Sequence, residues 1–245
     1  MPFFEKARPV WNTSLADERN VTVGLCSAPL RAGTYTFKAA TSGFYHLFVN
    51  GAFVHFGPAR CAHEFYRVDE LTLALTENEN YVAVEVNNSY LNGFGQLRQN
   101  GFIEAELAAS DGTVIAATGN SGFDAFMLHE RVRKVQRYSF QRDFAEAYRF
   151  EGNVHAWRVG HPDKNAEPFT PGETEPKKLV ERRIPIGEYS VIVPKSRLWY
   201  GDFVTGVAGE VYKDRSLIDL HDPNAALLEG YEENELDVHL SDEAQ

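Results

Sequence analysis

Residues 43–86 read GFYHLFVNGAFVHFGPARCAHEFYRVDELTLALTENENYVAVEV. Two apolar runs, Phe44 to Val49 and Ala52 to Phe56, flank Asn50-Gly51. A two-residue type I′ hairpin turn needs positive φ at both central positions, which Asn and Gly adopt at little cost. Downstream, Leu71, Leu73 and Leu75 alternate with polar or small residues. After the polar turn Glu77-Asn78-Glu79-Asn80, Val82, Val84 and Val86 alternate with Tyr81, Ala83 and Glu85. A period of two sends one set of side chains into a core and the other toward solvent or a second layer. The stretch therefore predicts strand, tight turn, strand, irregular loop, strand, turn, strand, with no helix between.

The same signals extend in both directions. Val21 to Leu25 and Thr34 to Lys38 read as strands before the hairpin. Ile103, Ala105 and Leu107 then alternate with Glu104 and Glu106, Asp111-Gly112 marks a turn into Thr113 to Ala117, and Phe123 to Leu128 follows. Close strand spacing with Gly, Asn and Asp turns predicts an all-β protein, an antiparallel β-sandwich of jelly-roll type. Phe144 to Phe150 is at best one short helix. The run HPDKNAEPFTPGETEPKK at 161–178, rich in Pro and charge, reads as a linker or surface loop. Tyr189, Val191 and Val193 alternate beyond it, and Ser216 to Leu220 offers another strand. The expected organisation is a first domain over 1–185, then the opening strands of an incomplete second β domain over 186–245.

Composition narrows the functions. The net charge is −11, and residues 221–245 hold eight carboxylates with no Lys or Arg. An acidic chain gains nothing from the phosphate neutralisation that drives nucleic-acid binding. One basic run, Arg131, Arg133, Lys134, Arg137 and Arg142 beside Tyr138 and Phe140, reads as a solvated face. Neither nucleic acid nor a membrane is expected as partner, since no apolar run approaches about 18 residues. The opening MPFFEKARPVW lacks the basic and apolar regions of a signal peptide, so a cytoplasmic location is expected. Cys26 and Cys61 are the only cysteines and read as reduced structural thiols, too few for a zinc site.

Motifs for catalysis are weak. Glu104 and Glu106 share a strand face at a spacing that suits paired-carboxylate hydrolysis, but the alternation explains both as outward-facing residues. His46, His55 and His63, with Glu64 and Asp69, have no metal-ligand spacing. No GxSxG elbow occurs, and Gly93-Phe94-Gly95 is too short to cradle phosphate. What stands out is a set of aromatic, amide, imidazole and guanidinium groups in two loops. It comprises Arg60, His63 and Tyr66, then Tyr90, Asn92, Phe94 and Arg98. Aromatic faces stack on sugar C–H groups while donors and acceptors read hydroxyls, so these seven form a candidate carbohydrate-binding set. The competing reading is that they anchor loops at the sandwich edge.

The run Phe48-Val49-Asn50-Gly51, then Phe56-Gly57-Pro58-Ala59-Arg60, resembles the accessory N-terminal β-sandwich of bacterial α-L-rhamnosidases, a galactose-binding-like module. Glu79-Asn80 with Val82-Ala83-Val84 extends the likeness, though Asn78 stands where a glycine is common. Gln141, Glu146, Tyr148, Trp157 and Glu181-Arg182-Arg183-Ile184-Pro185 extend it further, over roughly residues 10–190. The resemblance implies that the hydrolytic carboxylates lie in a helical toroid downstream, so no catalytic residue carries over to this chain. It also implies a catalytic domain of the same polypeptide and rhamnose-containing glycosides or other carbohydrate as partners. No cofactor is expected. Some galactose-binding-like folds hold a structural calcium, but no motif here supports one. The expected function is a non-catalytic accessory region of a rhamnosidase-like glycoside hydrolase. The alternative is an autonomous lectin-like module.

Overall fold

The computed structural model describes residues 2–135, 143–190, 192–193, 195–196, 203–205 and 238–240. Its strands, in chain order, begin with β1 (Val10–Trp11), β2 (Val21–Ser27), β3 (Gly33–Thr41), β4 (Phe44–Val49) and β5 (Ala52–Gly57). Next come β6 (Phe65–Leu75), β7 (Val82–Asn88), β8 (Ile103–Ala109), β9 (Val114–Ala117) and β10 (Phe123–Leu128). Three short strands follow, β11 (Ala166–Pro168), β12 (Gly172–Glu173) and β13 (Lys178–Glu181). A seven-stranded sheet runs β12-β1-β8-β3-β6-β13 with β9 added at β8, and a six-stranded sheet runs β11-β10-β2-β7-β4-β5. Pairing is antiparallel throughout except for β13, which lies parallel to β6. The chain is an all-β sandwich, as the alternation predicted.

Periodicity explains the core. Val21, Val23 and Leu25 of β2, Val82, Val84 and Val86 of β7, and Tyr45 and Leu47 of β4 point inward from one sheet. Phe37 and Ala39 of β3, Leu73 and Leu75 of β6, and Ile103, Ala105 and Leu107 of β8 join them in one apolar cluster. The hairpin between β4 and β5 turns at Asn50 and Gly51 with φ of 51° and 78°, the positive pair that a type I′ turn requires. Asn50 also accepts the Tyr81 N–H at 2.8 Å, which ties this turn to the next strand. In the turn before β7, buried Asn80 donates to the Glu77 carbonyl at 2.6 Å and accepts the Glu77 N–H at 3.2 Å.

Both sheets are also covered on the outside. Every residue of β2 and β7 is buried. Trp157 lies over Gly24, where an added Cβ would stand 2.8 Å from the indole. Only glycine permits so close an approach of backbone to ring. Cys26, Phe48, Ala83, Phe126 and Leu128 complete this layer. Cys26 and Cys61 are free thiols. Burial pushes Cys26 up to about 11. On the seven-stranded sheet, Phe4 and Ala7 of the N-terminal segment pack on Ala40, Val68 and Phe102.

Three local expectations change. Phe144 to Phe150 is extended, with Tyr148 bridging Arg131, and forms no helix. The segment 161–178 is no free linker: β11 and β12 within it pair with β10 and β1. Edge strands present unpaired N–H and C=O groups, and this polar segment satisfies them where its own composition signalled only a loop. The described residues of 187–193 form no strand. In the region expected as a second domain, Phe203–Thr205 pairs with Val238–Leu240. Ser216 to Leu220 and the acidic residues Asp222, Glu229, Glu232, Glu233, Glu235, Asp237, Asp242 and Glu243 lie outside the described residues. Of the basic run, Arg131 is buried near Glu146 and Arg133 pairs with Glu18 at 2.9 Å. Arg137, Tyr138, Phe140, Gln141 and Arg142 lie outside the described residues. No helix among the described residues is long and apolar enough to cross a membrane.

Candidate functional site

The loop from β5 to β6 and the loop after β7 flank an open groove of about 330 Å³. Gly57 ends β5, and its backbone packs so tightly against Asp69 and the Tyr45 ring that no Cβ fits. Pro58, Ala59 and Arg60 then turn along the groove wall. The Arg60 carbonyl accepts from Arg67 Nε at 2.8 Å, which fixes the loop to β6.

Four of the seven candidate residues line this groove: Arg60, His63, Tyr66 and Phe94. Arg60, His63 and Phe94 are exposed, Phe94 by 69%. Tyr66 is half-buried, and burial raises its hydroxyl above the ordinary value. That hydroxyl donates to Gln99 Oε1 at 2.8 Å, while Gln99 Nε2 donates to the Ser42 carbonyl at 2.6 Å. Its ring meets Phe102 edge-on at 4.6 Å. The Tyr66 oxygen can still accept from a ligand, and Phe94 presents an uncovered ring. Tyr90, Asn92 and Arg98 are not among the groove-lining residues. The Arg98 guanidinium sits 4.7 Å from the Tyr90 ring centroid. Asn92 Oδ1 accepts the Arg98 N–H at 3.0 Å. These three hold their own loop together.

Behind the groove lies a buried polar hub. Asp69 is fully buried and accepts from Tyr45 at 2.7 Å, from His55 Nε2 at 3.4 Å and from Arg182 Nη1. Burial alone would raise the Asp69 carboxyl, but the bonds from His55, Tyr45 and Arg182 outweigh it and hold the group below its usual range. Arg182 also donates to the Ile184 and Pro185 carbonyls at 2.8 and 3.2 Å. The Glu181-to-Pro185 connection is thereby clamped onto the sandwich. The hub joins His55 and Asp69, which the sequence placed near one another, but leaves His63 out. Among the described residues no group of three or more His, Cys, Asp and Glu is disposed to hold a metal ion.

Glu104 and Glu106 do face outward from the seven-stranded sheet, yet both are buried. The N-terminal segment covers Glu106, whose Oε2 accepts the backbone N–H groups of Glu5, Lys6 and Ala7 at 2.9, 2.7 and 3.1 Å. Burial pushes Glu104 up to about 7. Alternation identified the correct sheet face but not the segment that closes it, about a hundred positions away in the chain.

A 26% identical stretch covering 74% of this chain aligns, with a TM-score of 0.61, to a GH78-family rhamnosidase of Bacillus sp. GL1. The chain resembles a β-rich part of α-L-rhamnosidases. A second solved structure, the native α-L-rhamnosidase of Aspergillus terreus, shares the fold at 16% identity over 72% of this chain, with a TM-score of 0.50. The chain spans about a fifth of each rhamnosidase, 20% and 22%. No family model and no curated protein matches it.

Proposed function

We propose that this chain is a non-catalytic, N-terminal accessory region of a rhamnosidase-like glycoside hydrolase, which packs on a catalytic domain and contacts carbohydrate along the Arg60–Phe94 groove. The observation that carries this reading is the match of three quarters of the chain to one fifth of a rhamnosidase. Inverting hydrolysis needs a protonated carboxyl opposite a carboxylate that activates water. Glu106 is committed to three backbone amides and Asp69 to three side chains, so neither is free to act. Exposed Phe53 and Phe56 beside Tyr189, with Phe53 and Tyr189 edge-to-face at 5.2 Å, offer an apolar strip next to the Arg182 clamp for a neighbouring domain.

The test is an assay of residues 1–245 with p-nitrophenyl α-L-rhamnoside. The expected outcome is no release of p-nitrophenol. Release that scales with the concentration of the chain and survives repeated purification overturns the non-catalytic reading.

A further inference from the structure

A second cavity, of about 370 Å³, lies on the outer face of the six-stranded sheet and shares no lining residue with the Arg60–Phe94 groove. The two differ in charge. In the cavity, Arg158 Nη2 donates to Glu85 Oε2 at 3.0 Å, and His46 Nδ1 lies 3.6 Å from Glu85 Oε1. Buried Glu130, whose Oε2 has no hydrogen-bond partner among the described residues, adds a second carboxylate, and the exposed Phe150 ring stands at the lip. Carboxylates there outnumber guanidinium groups. The groove has the reverse balance. Its charged and titratable lining side chains of Arg, His and Glu are Arg60, His63, Glu64 and Arg67. Glu64, the one carboxylate among the lining residues, accepts from Lys178 Nζ at 2.8 Å, and that bond holds its carboxyl below the ordinary range. Arg67 donates to three backbone carbonyls, those of Arg60 at 2.8 Å, Glu181 at 3.2 Å and Arg182, and to no carboxylate among the described residues. The exposed Arg60 side chain has neither a hydrogen bond nor an ion pair among the described residues.

We propose that the groove selects an acidic sugar, a pyranose whose ring packs on Phe94 and whose carboxylate is taken by Arg60. This rests on the reading of the groove as a carbohydrate contact and adds the class of sugar. The chain as a whole carries −11, so its overall field does not draw an anion toward it. Locally, two guanidinium groups stand against one carboxylate that Lys178 already answers, which leaves a positive spot for an anionic group. Arg67, fixed by its three carbonyls, supplies charge, while Arg60 has the uncommitted fork. A guanidinium meets a planar carboxylate through two parallel N–H···O bonds, a geometry that a neutral hydroxymethyl group does not reproduce. The Phe94 ring, also exposed, offers its face to the C–H side of the same sugar. Both side chains are open to solvent and therefore to a ligand. At about 330 Å³ the groove lies at the small end of ligand sites, which suits one ring rather than a long chain of them.

The test is calorimetry and saturation-transfer NMR on residues 1–245 with D-glucuronate against D-glucose and D-galacturonate against D-galactose, pairs that differ only at C6. At least one uronate is expected to bind about fivefold or more tightly than its neutral partner at low salt. Raising NaCl to about 0.5 M should remove that preference. Arg60→Gln should abolish it as well, and this variant keeps the backbone carbonyl that Arg67 holds, so the loop stays in place. Phe94→Ala should weaken both members of the pair. Lys164→Gln removes a positive charge from an exposed ion pair with Glu151 outside the groove, and should leave the preference unaltered. Circular dichroism with an unchanged melting curve certifies each variant as folded. Uronates that bind no more tightly than their neutral partners overturn the proposal, and so does a preference that survives Arg60→Gln or is lost in Lys164→Gln. If a neutral sugar binds equally well and Phe94→Ala weakens it, the acidic selectivity fails while the carbohydrate reading of the groove stands. Absence of binding by all four sugars overturns both.

Discussion

The two outer faces of the sandwich begin alike and end differently. Each carries a carboxylate that strand alternation turns away from the core, Glu106 on β8 and Glu85 on β7. Each carboxylate is then buried by a distant segment. Over Glu106 the cover is backbone, three successive N–H groups of residues 5–7 converging on one oxygen. Over Glu85 it is a side chain, Arg158, whose rigid fork answers the carboxylate without filling the space above it. A backbone cover seals a face. A side-chain cover leaves a cavity, and there the unpartnered Glu130 sits.

The contrast can be broken from either side, beginning with its strongest link. Arg158→Ala strands Glu85 as a buried charge with only His46 beside it, and should cost about 3 kcal/mol in urea denaturation at pH 7. A loss within about 0.5 kcal/mol would mean that Arg158 is not what compensates Glu85. Glu106→Ala leaves backbone donors of residues 5–7 unanswered and should cost about 2 kcal/mol. Hydrogen exchange should rise at those amides while β2 and β7 stay protected. If exchange there is unchanged, the carboxylate is not the clamp.

Glu104 sharpens the comparison through pH. Burial pushes its carboxyl up to about 7, with Arg8 and Lys177 pulling it down and Glu106 pushing it up. A carboxyl with a raised folded-state pKa binds more protons folded than unfolded between its ordinary value of about 4.5 and about 7. Its contribution to stability therefore falls as pH rises through that window and is flat above it. Glu104→Gln should remove this slope and gain about 1 kcal/mol over wild type at pH 8, with little difference at pH 4. Chemical denaturation at the two pH values checks it, and an equal effect at both would show that ionisation is not the cause. Phe150→Ala should change stability least, by less than about 0.5 kcal/mol, because its ring is exposed. A larger loss on thermal melting would make Phe150 part of the cover rather than the lip of a cavity.

Much of the fold was legible because strand alternation is a local property. Phe44–Val49 and Phe123–Leu128 begin and end where the pattern placed them, and the Asn50-Gly51 turn has the positive φ pair its chemistry demands. The two short strands within the 161–178 loop carry no signal in their own residues, because their pairing with β10 and β1 depends on where those edges lie. The candidate set divides for a similar reason. Arg60, His63 and Tyr66 meet Phe94 because the ends of β5 and β7 bring their loops together. Tyr90, Asn92 and Arg98 fold back on themselves, as short loops do when a guanidinium can reach a ring five to ten residues away.

From residues alone came the layered strands, their inward faces and the loops rich in rings and donors, since steric alternation and turn chemistry act over two to four neighbours. Which carboxylate is sealed and which looks onto open space was decided by packing: Arg158 meets Glu85 across 73 positions, and residues 5–7 meet Glu106 across about a hundred. Long-range closure of that kind follows from how whole sheets and their covering segments come together, and no window of sequence contains it.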